Sequence, residues 1–374
     1  MEALFENFFN FHWQMAVMWL LGGILIWLAI KKNMEPALLL PMGFGAILVN
    51  LPMSGAINQM IDGVMEQGPL DTLFNAGIAN ELFPLLLFIG IGAMIDFGPL
   101  LSNPKMMLFG AAAQFGIFFT FSLASLFDFE LKDAASIAII GAADGPTSIF
   151  IANFLQSNYL GAIIVAAYSY MALVPIIQPP VIRLITTKKE RQIRMPYNPK
   201  SVSKTTRILF PILITIIAGI VAPRSVALVG FLMFGNLVRE CGVLNGLSES
   251  AQNELANLIT LLLGITVATK MHYESFLSPQ TLLIMFLGLF AFVFDTVGGV
   301  LFAKLLNLFS KNKINPMVGA AGISAFPMSA RVIHKMGLKE DPQNFLLMHA
   351  AGANVAGQIA SVIAGGLMLG LIGR

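Results

Sequence analysis

Charge is scarce in this sequence. Lys, Arg, Asp and Glu together make up 11% of 374 residues, where a soluble domain carries roughly 25%. A soluble protein of this length needs far more polar surface to cover its core. There is a single cysteine, Cys241, which excludes an intramolecular disulfide framework and a four-cysteine metal site; it is expected to be a small buried apolar residue. No Walker loop, dinucleotide fingerprint, His-Glu-x-x-His site or serine elbow occurs, so ATP-driven transport by this chain alone is not expected. No Met-Lys-Met biotin-attachment motif occurs either; Lys105-Met106-Met107 is the nearest run. The net charge of +2 carries no signal for nucleic acid. Residues 1–12 hold Glu2 and Glu6 and no Lys or Arg, so the basic start of a cleaved signal peptide is missing.

What remains is apolar. Hydrophobic residues make up 57% of the chain, with a mean hydropathy of +0.79. Stretches long enough to span a bilayer, or nearly so, are 14–31, 37–52, 82–97, 106–127, 160–185, 207–222, 225–240, 256–271, 280–309 and 343–372. The fold class expected is an all-α polytopic membrane protein in the bacterial inner membrane. Two further segments, 134–152 and 317–334, are apolar but interrupted by Gly, Pro and polar residues.

Charge orients the spans. Arg183, Lys188, Lys189, Arg191, Arg194, Lys200, Lys204 and Arg207 face only Glu190, which marks a basic cytoplasmic loop over 186–206. Residues 53–81 carry Asp62, Glu66, Asp71 and Glu81 without Lys or Arg and are expected outside. Counting crossings between these points leaves room for one span where two apolar segments lie. Segment 134–152 is therefore expected to dip in from outside and return, and 317–334 to re-enter from the cytoplasm. The halves also resemble one another. Gly90-Ile91-Gly92 before Leu101-Ser102 parallels Gly264-Ile265 before Leu277-Ser278, and Gly141-Ala142-Ala143 parallels Gly319-Ala320-Ala321, at separations of 174 to 178 residues. Residues 1–185 and 207–374 are thus expected to form two inverted structural repeats. Their broken segments meet at the site, as in secondary transporters of the elevator type.

Asp144 stands out. It lies in Ile139-Ile140-Gly141-Ala142-Ala143-Asp144-Gly145-Pro146-Thr147, a carboxylate in apolar sequence followed by a helix-breaking pair. Such a group in a membrane is expensive unless it binds a cation or a proton. Tyr168 and Tyr170 lie within the next helix, which Pro175, Gln178, Pro179 and Pro180 are expected to break or kink. The second half supplies Asn315, Ser324 and Ser329 as neutral oxygen ligands. Arg331 there binds an anion, balances Asp144, or serves as a positive-inside flank. Asn354 and Gln358 share a helical face near His349 and Ser361, which suits interhelical hydrogen bonding. Lys270, His272 and Glu274 end a helix and read as interfacial. Asp96 sits near a helix end, and Asp295 is mid-run with Lys304 as a candidate partner.

These motifs resemble the beta subunit of the sodium-pumping biotin-dependent decarboxylases, the group of oxaloacetate, methylmalonyl-CoA and glutaconyl-CoA decarboxylases. The resemblance rests on 141–147, on Ala167-Tyr168-Ser169-Tyr170 through Gln178-Pro179-Pro180, on Asn315 to Arg331, and on Gly352-Ala353-Asn354-Val355-Ala356-Gly357. It implies Asp144 as the sodium- and proton-linked carboxylate with Tyr170 beside it, and assigns roles to Asn315, Gly319, Ser324, Arg331 and Asn354. Sodium would then be held by Asp144, Asn315, Ser324 and Asn354, with Tyr170 as a further ligand. Carboxybiotin would meet Arg331, Ser324 and Gly319, with Asp144, Arg331 and Tyr170 as the catalytic set. The resemblance also implies biotin carried by a partner protein, a carboxyltransferase alpha subunit, a small gamma- or delta-type membrane subunit, and a homo-oligomer of beta subunits within the membrane lipid. Loss of carbon dioxide from carboxybiotin would drive sodium export and consume a proton. The alternative is a stand-alone sodium- or proton-coupled secondary transporter of carboxylates.

Overall fold

The computed structural model describes residues 10–61, 64–197, 201–310 and 312–372. Glu2, Glu6, Asp62, Lys200 and Lys311 lie outside the described residues. Among those described, seven helices are long and apolar enough to cross a membrane: Trp13–Lys32, Pro104–Ser125, Leu160–Ile185, Lys204–Val221, Asn245–Met271, Pro279–Phe309 and Leu347–Ile372. The pair Pro69–Ala79 and Leu82–Met94, bent by 61°, makes an eighth span if counted as one. Pro36–Val49 is a shorter apolar helix.

Burial ranks these helices from rim to centre. Only 11% of the apolar window of Lys204–Val221 is buried, against 67% for Leu347–Ile372. The first shows Leu213, Ile216, Ile217 and Ile220 on its outside, side chains that suit lipid contact. The second carries small residues and buried polar groups and threads the centre. With lipid as apolar as the core, such helices associate through close backbone approach. Two crossings depend on this directly. A Cβ on Gly319 would lie 2.0 Å from the Gly299 carbonyl oxygen, and one on Gly357 would lie 2.1 Å from that of Gly322.

Four features differ from the sequence-based expectation. Residues 53–81 include a two-stranded antiparallel hairpin, Gln59–Ile61 with Val64–Glu66; strands of three residues leave too little alternation to be read in advance. The helix Leu160–Ile185 runs unbroken through Pro175, Pro179 and Pro180. The packed neighbours of a membrane helix can satisfy the backbone groups that proline leaves open. Conversely the span Pro104–Ser125 is interrupted at Gln114, between Met107–Ala113 and Phe115–Ser125. Cys241 is half-buried rather than buried, and its thiol donates to the Val238 carbonyl at 3.1 Å.

Candidate functional site

The first interrupted segment places its carboxylate by helix chemistry. The helix Leu131–Ala138 tightens into a 3₁₀ turn, Ile139–Ala142. Ala143 then takes a left-handed φ of 53° and Asp144 an extended φ of −126°, from which the helix Gly145–Phe154 starts. Pro146 suits that first turn because no amide donor is needed there. Asp144 is the N-cap. Its Oδ1 accepts from the Thr147 amide at 3.2 Å, and its Oδ2 from the Thr147 hydroxyl at 2.7 Å. The central helix Leu347–Ile372 adds Gln358 Nε2 at 3.0 Å and Ser361 Oγ at 3.2 Å, both to Oδ2. The carboxylate is 3% exposed. Against Gly145 lies Tyr168, whose ring would be 2.5 Å from a Cβ there. The Tyr168 hydroxyl is buried without a hydrogen-bond partner among the described residues.

The second interrupted segment meets the first. After the short helix Met317–Ala320 the chain turns through 321–327 and resumes as Met328–Glu340. The Ser324 amide donates to the Ala142 carbonyl at 3.1 Å, joining one break to the other two residues before Asp144. Ser324 Oγ donates to the Gly357 carbonyl at 3.1 Å. Asn354 Nδ2 donates to the Ile323 carbonyl at 2.6 Å, while its Oδ1 is buried without a donor among the described residues. Gln178 donates to the Ala320 carbonyl at 2.7 Å and accepts from Ser329 at 3.0 Å. Two carbonyls of the second break, Ala320 and Ile323, are thus taken by side chains.

Of the residues singled out by sequence, the structure gathers Asp144, Gln358 and Ser361 by direct bonds, with Ser324 and Asn354 packed on the same junction. Thr147, which sequence reading quoted only as part of the motif, makes two of the bonds to Asp144. The others sit elsewhere. Tyr170 donates its hydroxyl to the Met285 carbonyl, away from Asp144. Asn315 accepts from the Met317 amide and holds the carbonyls of Arg191 and Ile193 at 2.8 and 2.9 Å, which anchors the basic loop. Gly319 is the close-packing point against Gly299. Asp295 does not pair with Lys304. Lys304 binds Glu190 at 3.2 Å, whereas Asp295 accepts from the Ile117 amide at 3.2 Å. Asp96 pairs with Arg207 at 3.3 Å.

No ion pair joins Arg331 to Asp144. Arg331 instead lines a cavity of about 400 Å³ with Arg183, Lys335, Lys339 and Glu35. Arg331, Lys335 and Lys339 recur every four residues along Met328–Glu340, so they share one face. Glu35 enters from the link between Trp13–Lys32 and Pro36–Val49, in a left-handed φ of 34°. Burial pushes its carboxyl above the ordinary value, and the Arg331 charge pulls it back down. The cavity thus surrounds one carboxylate with four cations. The basic loop is tied beside it through Arg191 to Glu340 at 2.8 Å and Arg194 to Asp341 at 2.5 Å.

The chain that builds this buried carboxylate and this separate basic cavity has relatives along nearly its whole length. Residues 14–372 match the family model described as Na+-transporting oxaloacetate decarboxylase beta subunit. The chain is 50% identical to the methylmalonyl-CoA decarboxylase subunit beta of Veillonella parvula, over 96% of this chain and 93% of that one. It is 49% identical to the glutaconyl-CoA decarboxylase subunit beta of Acidaminococcus fermentans, over 98% and 96%. With the oxaloacetate decarboxylase beta chain 2 of Salmonella typhi it shares 46% identity, over 95% and 94%. Such relatives do not favour a stand-alone carboxylate transporter. The chain is a multi-pass bacterial membrane protein, and it belongs to the family of beta subunits of the sodium-transporting decarboxylases.

Proposed function

We propose that this chain removes carbon dioxide from carboxybiotin presented by a partner and couples that step to sodium export. The observation that carries the reading is Asp144, a buried carboxylate held by Thr147, Gln358 and Ser361 at the contact of two interrupted segments. Its donors are mostly hydroxyls and an amide, which can turn their oxygens toward a hard cation as readily as they donate to a carboxylate. Sodium is the cargo at this position, with Asn354 Oδ1 and the Tyr168 hydroxyl as further free oxygens. A proton replaces it on the carboxylate when the ion leaves.

The Arg331 cavity is the docking place for the biotin carrier's anionic group. Its four cations and volume of about 400 Å³ fit an anionic ureido carboxylate. In the reaction the N–C bond breaks, carbon dioxide leaves, and the electron pair stays on the ureido nitrogen, which takes up a proton. Arg331, Lys335 and Arg183 stabilise the charge as it moves onto the ureido group. Ser324 lies on the turn that leads into the Arg331 helix and bonds to Ala142, two residues before Asp144, and to the central helix. The interrupted segments belong to two inverted repeats, 1–185 and 207–374, separated by the basic loop 186–206. They move relative to the rest of the protein as in an elevator. A carboxyltransferase, a biotin carrier, a small membrane subunit and further beta subunits complete the assembly.

The test is decarboxylation of carrier-bound carboxybiotin by the purified assembled complex, with sodium varied against potassium at constant ionic strength. Carbon dioxide release should require sodium. Equal release in potassium would refute the coupling.

A further inference from the structure

A second carboxylate lies midway along an apolar span and is absent from the reading above. Asp295 is the seventeenth of the 31 residues of Pro279–Phe309 and is fully buried. It stands opposite the interruption of Pro104–Ser125. Its Oδ1 accepts from the Ile117 amide, in the first turn of the helix Phe115–Ser125, at 3.2 Å. Its Oδ2 has no hydrogen-bond donor among the described residues. That oxygen is aimed at the first interrupted segment, since a Cβ on Gly141 would lie 2.9 Å from it. One carboxylate therefore bridges two chain breaks, with one oxygen satisfied and the other bare.

The same two spans carry other uncommitted oxygens. Gln114, the residue at the interruption, has Oε1 buried without a donor among the described residues. Thr120 on the same span and Thr296 beside Asp295 have buried hydroxyls without partners among the described residues. Hydroxyls of threonines in the helices of this protein commonly return to the carbonyl one turn back, as Thr215 and Thr260 do at 2.8 and 2.7 Å. Those of Thr120 and Thr296 do not. A bare carboxylate oxygen in a dry interior is costly unless it meets a cation or a proton. Carboxylate, amide and hydroxyl oxygens are the donors that a hard monovalent cation takes.

We propose that Asp295 Oδ2 is the anchor of a second sodium site, separate from Asp144 and seated between the Gln114 interruption and the Gly141 turn. Only the choice of sodium as the cation rests on the reading of the chain as a sodium pump. Asp295→Asn keeps an oxygen to accept from Ile117, so a purely structural cap survives the change, whereas a cation anchor does not.

The experiment is equilibrium binding of radioactive sodium to the purified assembled complex, without turnover. Asp295→Asn should lose roughly one equivalent per chain, and Asp144→Asn should leave that equivalent in place. Unchanged binding by Asp295→Asn would overturn the inference, while no sodium binding by the unaltered complex would overturn the sodium-pump reading itself. Should Asp295→Asn not assemble, crystals of the unaltered complex soaked in thallium decide. An anomalous peak beside Oδ2 supports the site, and a peak at Asp144 alone removes it.

Discussion

At the scale of single residues, the bonds to Asp144 do not weigh equally. Thr147 gives it both a backbone and a hydroxyl donor, at 3.2 and 2.7 Å. Thr147→Val keeps the amide and the shape but removes the hydroxyl oxygen that the proposed function assigns to the cation. Loss of one charged-group hydrogen bond is worth about 1.5–3 kcal/mol. The sodium concentration for half-maximal decarboxylation should therefore rise roughly tenfold or more, with the fold intact by thermal unfolding. An unchanged sodium requirement would place the cation elsewhere. Glu35 makes a second residue-level prediction. Its folded carboxyl titrates above the ordinary 4.5, mainly through burial. A raised folded value means that stability is full below the unfolded value and is lost as pH rises through the folded one. Unfolding temperatures across pH 4 to 7, relative to Glu35→Gln, should show the native protein losing ground as pH rises. A difference that does not vary with pH would contradict this.

Among elements, the interrupted helices depend on backbone contact. The Gly319 Cα faces the Gly299 carbonyl with no room for a methyl group, since a Cβ there would lie 2.0 Å from that oxygen. Gly319→Ala must push the short helix Met317–Ala320 off Pro279–Phe309, at a cost of about 1–3 kcal/mol. A lower unfolding temperature in detergent is expected, together with weaker activity because Ser324 follows five residues later. An unshifted transition would show that the crossing yields easily. Much of this element plan was legible beforehand. The apolar run at 160–185 matches its helix end to end, and both interruptions fall where Gly, Pro and polar residues cluster. The break at Gln114 was not legible. Gly110-Ala111-Ala112-Ala113-Gln114-Phe115-Gly116 contains good helix formers, and the interruption is stabilised by Asp295 from a helix nearly 180 residues away. The pairing of Asp295 with Lys304 failed for a geometric reason. Nine residues along a helix is roughly two and a half turns, so the two side chains face opposite sides about 13 Å apart.

Across the whole molecule, the sequence exposes the classes of site but not their grouping. Asp144 and Arg331 were legible as charges in apolar surroundings. That they occupy separate places, one at the crossing of the interrupted segments and one in a cavity with Arg183 and Glu35, depends on packing between distant elements. Tyr168 faces the Asp144 side and Tyr170 the Met285 side. Two residues on one helix diverge by roughly 200°, yet without neighbours nothing tells which side is inward. Separate places for anion and cation also define what coupling requires, namely that an event at Arg331 changes the occupancy of Asp144.

Reconstituted vesicles measure that coupling directly. The assembled complex is placed in liposomes, and carbon dioxide release and radioactive sodium uptake are followed together for the native protein and for Asp144→Asn. Asparagine keeps an acceptor for the Thr147 amide and puts an amide nitrogen in place of Oδ2, toward which the Thr147 and Ser361 hydroxyls and a flipped Gln358 amide can turn their oxygens. Asp144→Asn should abolish both sodium transport and sodium-dependent decarboxylation while its unfolding temperature holds. Native rates of release and uptake in that variant would contradict the assignment of Asp144 as the coupling carboxylate.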